Sequence, residues 1–156
     1  MTEADRLASL FVSALPHIER AWRREADAAL AGHGLSVATA LPLVAVGRLG
    51  DGVRQVVVAE ALAIEEASLS PVLNQLCAAG LLERRTDLRD RRARALHLRP
   101  AGVALARQAE AALALVRGRL FADAAPADLA ASLRVFGAVE GRIGGSPMPP
   151  ARQETM

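Results

Sequence analysis

The sequence predicts a mainly α fold with a small β-wing, and three observations lead to that prediction. Apolar residues make up 52% of the chain and aromatic residues only 3%, so the core is built from alanine, leucine and valine, which suits closely packed helices. Two short amphipathic segments, 55–62 and 65–79, are joined by a tight connection and have the dimensions of a helix-turn-helix. Two short apolar segments follow at 81–86 and 94–98, as expected for the hairpin of a winged helix-turn-helix.

Long helices are predicted on both sides of this unit. Apolar residues recur at three- and four-residue steps through 3–31, the pattern of an amphipathic helix, which Pro16 is expected to kink or to divide in two. Ser36 is expected to cap the next helix, and Pro100 suits the first position of a later one. These further helices are predicted over 37–49, 101–122 and 126–143.

In the loop between the two predicted strands, apolar periodicity gives way to charge. Only Asp87 and Asp90 oppose seven arginines in this part of the chain. The arginines are Arg84, Arg85, Arg89, Arg91, Arg92, Arg94 and Arg99. Arginine presents a planar fork of donors that suits phosphate groups and the edges of DNA bases. The hairpin is therefore a candidate nucleic-acid contact, with a solvated charged turn as the alternative.

Composition and motifs exclude several functional classes. The formal net charge is only +2, so the local arginine cluster matters more than the total. Cys77 is the single cysteine, which is typical of a reducing cytosol, and we expect an inert, partly buried thiol. The sequence has no signal peptide, no apolar run long enough to span a membrane, and no pattern typical of an enzyme or a metal site. We therefore expect a cytoplasmic protein without a cofactor that is not an enzyme.

The hairpin and its flanks carry a family resemblance. The chain reads Ala-Gly-Leu-Leu-Glu-Arg-Arg at 79–85, Asp-Leu-Arg-Asp-Arg-Arg-Ala at 87–93 and Leu-His-Leu-Arg-Pro-Ala-Gly at 96–102. This run resembles the wing signature of the MarR family of bacterial winged-helix regulators, SlyA-like members above all. The similarity extends over about residues 5–143.

The resemblance implies a homodimer that binds a pseudo-palindromic operator in double-stranded DNA as a ligand-responsive repressor. Residues 1–35 and 100–143 would form the helical dimerisation region, and 36–99 the winged helix-turn-helix. Two-fold symmetry would hide the apolar faces of the long helices and place two recognition helices about one DNA turn apart. The Pro/Gly-rich tail, 144–156, is predicted to be disordered.

The resemblance also assigns roles within the wing. Asp90 would orient Arg92, and Arg92 would enter the minor groove, whose narrow form concentrates negative potential. The alternative for Arg92 is a solvated charge. Arg89 and Arg91 are predicted to contact the DNA backbone, and Arg85 either does the same or braces the hairpin.

The predicted recognition helix departs from the family pattern, because Glu66 and Pro71 stand where many members carry arginine. Glu65 and Glu66 would face a negatively charged ligand, although a helix N-terminus stabilises carboxylates and glutamate can accept from cytosine. Pro71 is tolerable if the helix begins late, with Ser68 or Ser70 as its cap. The remaining candidates for base contacts are Gln55, Ser68, Ser70 and Asn74. Our hypothesis is that DNA binding depends on the wing more than it does in the relatives.

An effector site is the last prediction. Members of the family commonly release DNA when a small aromatic or phenolic anion binds between the dimer helices and the winged helix. Trp22, with Arg23 beside it and His17 one to two turns earlier, is the candidate group. The alternative is that Trp22 is a core or interface residue. The competing function for the whole chain is a helical protein-interaction module whose degenerate winged helix no longer binds DNA.

Overall fold

The computed structural model describes residues 1–87, 90 and 93–144, and it confirms a mainly α fold with a small β-wing. The elements are α1 (Glu3–Ala31), α2 (Val37–Leu49), β1 (Val53–Arg54), α3 (Gln55–Ala61), α4 (Glu66–Ala78), β2 (Leu82–Thr86), β3 (Arg94–Leu98), α5 (Pro100–Leu120) and α6 (Pro126–Ile143). The predicted disordered tail lies outside the described residues from residue 145 onwards. The division of the chain into dimerisation and DNA-binding regions stays a prediction.

The wing is a three-stranded antiparallel sheet rather than a hairpin alone. Strand β3 lies in the centre, with β2 on one side and β1 on the other. Strand β1 pairs Val53 with Leu96 and Arg54 with Ala95. A two-residue strand is too short to show alternating polarity, so it could not be predicted from the sequence, and its position depends on tertiary pairing.

Pro16, Pro42 and Pro71 all lie inside continuous helices. Of the two expectations for Pro16, a kink or a division, the division is wrong, because helix α1 runs through Pro16 without a break. Helix α4 begins at Glu66 with Glu65 as its N-cap, which places Pro71 in its interior. The helix therefore does not begin late with a serine cap, and it accepts the loss of one backbone donor.

The start of α2 is fixed by side chains from two helices. Thr39 Oγ1 accepts from the backbone N–H of Ser36 at 3.0 Å, which is half of a capping box. Asp27 of α1 accepts from the backbone N–H of Val37 at 2.6 Å. The second contact joins α1 to α2 at the point where the chain enters the winged helix.

Two apolar clusters share α2 and α5. The larger lies under the winged helix, where the most deeply buried side chains are Leu43, Val46, Val58, Leu69, Leu73, Leu76, Leu82 and Leu96. The smaller joins α1 to α2 and α5 around Ala26, Leu30, Val37, Ala40, Ala109 and Leu113. Leu105 of α5 packs against both clusters. Helices α2 and α5 therefore connect the core of the winged helix to the cluster that holds α1.

One end of the molecule leaves apolar side chains exposed. Helix α6 has no buried residue in the described part of the chain, and Phe136 meets Phe11 of α1 with ring centroids 5.3 Å apart. The other large apolar residues here are 37–74% exposed: Leu7, Leu10, Val12, Leu15 and Ile18 on α1, and Leu129, Leu133, Val135, Val139 and Ile143 on α6. We call these residues the apolar end face. Exposed apolar surface of this extent marks an interaction site.

Candidate nucleic-acid interface

Helix α4 is held against the core by one face and leaves the other exposed. Leu69, Leu73 and Leu76 are buried and fix its inward side. On the opposite side the exposed residues are Ala67, Ser68, Pro71, Asn74, Gln75 and Ala78. The connection from α3 contains Ala63 in the left-handed region, with φ of 52°. This is the arrangement of a recognition helix that follows a tight turn.

Three of the four side chains predicted to contact bases belong to one hydrogen-bond network. Gln55 is 8% exposed, and its Nε2 donates to Ser70 Oγ at 2.8 Å. Ser70 Oγ donates in turn to the backbone carbonyl of Glu66 at 3.2 Å. Asn74 Oδ1 accepts from Arg84 Nη1, and Arg84 Nη2 donates to the Ser70 carbonyl at 3.2 Å. The network joins α3, α4 and β2 into one unit.

The other polar side chains at the start and on the exposed side of α4 lie outside this hydrogen-bond network. Ser68 is exposed, and its hydroxyl has no hydrogen-bond partner within the described residues. Glu65 and Glu66 are exposed at the start of the helix. Gln75 is exposed as well, and it was not among the predicted base contacts. The sequence could have indicated Gln75, because it follows the predicted contact Ser68 by two helical turns and so lies on the same face of the helix.

The base of the wing is anchored on both sides. Arg94 Nη1 donates to Thr86 Oγ1 across the strand pair at 3.1 Å, and Asp87 N donates to the Ala93 carbonyl at 3.0 Å. Arg54 of β1 donates through Nε to Asp87 Oδ2 at 2.7 Å, and the Asp87 side chain is only 14% exposed. This last contact makes β1 a brace for the wing.

The predicted wing contacts extend beyond what the structure describes. Arg89, Arg91 and Arg92 lie outside the described residues, whereas Asp90 is described and exposed. The roles of all four residues stay predictions.

Arg85, predicted as a DNA contact or a brace, is exposed on β2 and donates through Nε to Glu83 Oε1 at 2.5 Å. Arg99 Nε lies 3.6 Å from the other oxygen of the same carboxylate. The hydrogen bond from Arg85 lowers the pKa of Glu83 and raises the pKa of Arg85. Glu83 therefore stays ionised and offsets part of the positive charge beside the wing.

A cleft of about 840 Å³ lies between α2, β3 and α5. Its wall is mainly aliphatic, and its charged residues are Arg48, Asp51, Arg107, Glu110 and Arg117. Glu110 Oε1 accepts from Arg48 at 2.5 Å and from Arg117 at 2.6 Å, while Glu110 Oε2 is buried with no hydrogen-bond partner in the described part of the molecule. The cleft could not be predicted from the sequence, because its residues come from distant parts of the chain.

The predicted effector residues lie elsewhere on α1. His17 is exposed, with Arg20 Nη2 3.3 Å from its Nδ1, and Arg23 Nε donates to Glu19 Oε1 at 2.8 Å. Trp22 is half-buried against the smaller apolar cluster. None of His17, Trp22 and Arg23 lines the cleft between α2 and α5. Their part in binding an effector stays a prediction.

Other kinds of site find little support in residues 1–87, 90 and 93–144. Cys77 is half-buried against the larger apolar cluster, as expected for a thiol with a packing role. No group of three histidine, cysteine or acidic side chains in these residues is arranged to hold a metal ion. None of their helices has the length and apolar character needed to cross a membrane.

The winged-helix part of the chain matches a protein-family model, and most of the chain matches solved structures. Residues 33–93 match the model of the MarR family. The transcriptional regulator PA3341 has a solved structure that is 29% identical, with 87% of this chain and 99% of that chain covered and a TM-score of 0.77. CouR from Rhodococcus jostii RHA1, solved bound to p-coumaroyl-CoA, is 23% identical, with coverage of 85% and 90% and a TM-score of 0.72. A mutant of MarR from E. coli, solved in complex with operator DNA, is 16% identical, with coverage of 89% and 99% and a TM-score of 0.73.

Proposed function

We propose that the chain acts like the MarR-family proteins that it resembles, which are transcription regulators rather than enzymes, and that it binds DNA sequence-specifically as a homodimeric repressor. The target is a pseudo-palindromic operator in double-stranded DNA. Its DNA contacts are the wing, including Arg85, Arg89, Arg91 and Arg92, and the exposed side of α4. A small ligand releases it from the operator.

The observation that carries this proposal is the pairing of an anchored wing base with an exposed recognition helix. The Arg54–Asp87 ion pair fixes the base of the wing, and the network around Arg84 holds β2 against α4. Two DNA-contacting elements held rigidly together can engage adjacent grooves without an ordering cost at binding. The sequence places arginine at three positions of the loop that leaves this base. Arginine is the side chain that a narrow minor groove attracts.

The homodimer is supported by the apolar end face. Helix α6 buries none of its residues against its own chain, and its apolar side chains continue the exposed row on α1. A second copy related by two-fold symmetry would cover both rows with the same residues from each subunit. The two recognition helices would then face successive turns of one DNA duplex.

The ligand response is supported by two places on the molecule. One is the predicted group of Trp22, Arg23 and His17, which suits a small aromatic or phenolic anion. The other is the cleft whose walls belong to α2 and α5, the two helices that connect both apolar clusters. Trp22 is the only tryptophan, so its fluorescence reports on the first place alone. Titration with salicylate that changes neither this fluorescence nor DNA affinity removes the Trp22 site.

A salt series of DNA binding tests the central part of the proposal. Fluorescence anisotropy would follow the protein on labelled duplexes that tile the region upstream of its own gene. Binding through phosphate contacts must weaken steeply as salt rises. The Arg92→Ala variant should weaken binding to every duplex and lower the salt dependence by about one phosphate contact. Arg24→Ala, which removes an exposed arginine from α1, is the matched control.

The second candidate function is a protein-interaction module with a winged helix that no longer binds DNA. The acidic start of α4, with Glu65 and Glu66 exposed, and the cation-free helix that follows favour it. Salt-independent or absent binding to all the duplexes would support this candidate and reject the first.

A further inference from the structure

Helix α4, which the structure describes throughout, carries neither arginine nor lysine. Guanine is read in the major groove mainly by the bidentate donors of those two side chains. A recognition helix without them has no strong means of choosing a G·C pair through guanine. The remaining groups on its exposed side are amides, one hydroxyl and small apolar side chains.

Among the polar groups of that side, Gln75 is the amide with both ends available. The carbonyl oxygen of Asn74 already accepts from Arg84 in the contact between α4 and β2, which restrains this amide and takes up one of its two acceptor positions. The Gln75 side chain is exposed and has no hydrogen-bond partner within the described residues. A free amide can donate to one atom and accept from another on the same base edge.

The surroundings of Gln75 favour one type of base pair. Glutamine pairs bidentately with N6 and N7 of adenine, and small apolar side chains contact the thymine methyl group. Ala67, Pro71 and Ala78 are exposed on the same helix side, from its second residue to its last. Amide and apolar groups together therefore recognise A·T pairs by both of their major-groove features.

We propose that Gln75 is a specificity-determining residue and that α4 selects A·T pairs in each operator half-site. Gln75 would read an adenine, while the apolar strip of Ala67, Pro71 and Ala78 packs against thymine methyl groups. Glu66, at the first position of the helix, is the group that would instead favour cytosine. This inference rests on the proposed DNA-binding function.

Selection from a library of duplexes with randomised central positions tests the inference. Wild-type protein, Gln75→Ala, Gln75→Arg and Gln108→Ala would each be used to enrich bound duplexes for sequencing. Gln108 lies exposed on α5 and is the matched amide control. Alanine at position 75 also favours the helix, so loss of folding is not expected.

The wild type should enrich A·T pairs at the half-site positions facing α4. Gln75→Ala should reduce discrimination at one position of each half-site by about 5- to 150-fold, and Gln75→Arg should turn that position to guanine. Enrichment of G·C pairs there by the wild type, or an unchanged preference in Gln75→Ala, overturns the inference but leaves the proposed function standing. Failure of all four proteins to enrich any duplex overturns both.

Discussion

Replacing Ser70 with alanine should destabilise the fold itself, although the sequence suggested a base contact or a helix cap for this residue. The hydroxyl accepts from Gln55 Nε2 at 2.8 Å and donates to the Glu66 carbonyl at 3.2 Å. Gln55 is 8% exposed, so water cannot readily replace the lost acceptor. The variant therefore leaves a buried amide donor without a partner.

The expected cost follows from that unsatisfied donor. A buried polar group that loses its partner costs about 1–3 kcal/mol, while the higher helix propensity of alanine returns only about 0.5 kcal/mol. With a urea dependence of about 2 kcal/mol per molar, the net cost of about 0.5–2.5 kcal/mol should lower the unfolding midpoint by roughly 0.25–1.25 M. Circular dichroism in urea measures the midpoint. The protein concentration must be the same for all variants, because the stability of a dimer depends on concentration.

Ser68→Ala is the control for this prediction. Ser68 lies on the same helix, is exposed and has no side-chain hydrogen bond to lose, so its variant should unfold at or slightly above the wild-type midpoint. Equal midpoints for the Ser68 and Ser70 variants would refute the reasoning. When Gln55 is already replaced by methionine, Ser70→Ala should cost much less free energy of unfolding than it does in the wild type, because no buried amide donor then loses its partner.

Three further predictions follow from local geometry. Gly102→Ala should lower the urea midpoint of unfolding clearly, because its Cβ would lie 2.0 Å from the Leu81 carbonyl oxygen. Gly118→Ala on the same helix is the control: its Cβ meets no atom within 4 Å, and the free energy of unfolding should rise by up to about 1 kcal/mol. Equal midpoints for the two variants would contradict this. Glu83 has a lowered pKa in the folded state, so the stability that it contributes is present above its ordinary pKa of 4.5 and is lost as pH falls through the folded pKa. Glu83→Gln should therefore make the stability depend less on pH in that window at low salt, and it should bind DNA more tightly because a negative charge is removed beside the wing. Identical acid-unfolding curves for the two proteins would count against the ion pair between Glu83 and Arg85. Arg92→Ala should reduce DNA affinity more than Ser68→Ala in anisotropy titrations, and the reverse order would show that the wing is not the main contact.

Local patterns allowed most of the helices to be predicted to within a residue or two. The helix predicted over 37–49 is observed as α2 (Val37–Leu49), because its cap and apolar run are encoded within a few residues of each other. Strand β1 was missed, since its two residues are ordered by pairing with β3 rather than by their own pattern. Pro16 and Pro71 were overestimated as helix breakers, because packing of the surrounding turns outweighs one lost hydrogen bond.

The candidate interface was harder to predict than the fold. Gln55, Ser70 and Asn74 are polar residues of a recognition helix-turn-helix, so the sequence favoured base contacts for all three. Their hydrogen bonds join groups 10 to 15 residues apart, which depends on how α3, α4 and β2 pack together. Gln75 has no such partner, and only the packed structure distinguishes it from Asn74 beside it.

Sedimentation equilibrium of the protein mixed with a duplex from the region upstream of its own gene tests the central claim most directly. Its mass reports both the association of two chains through the apolar end face and their joint binding to DNA. We expect two chains on each duplex at low salt, and dissociation into free duplex and protein dimer as salt rises. A monomeric chain that leaves the duplex free at every salt concentration would contradict it.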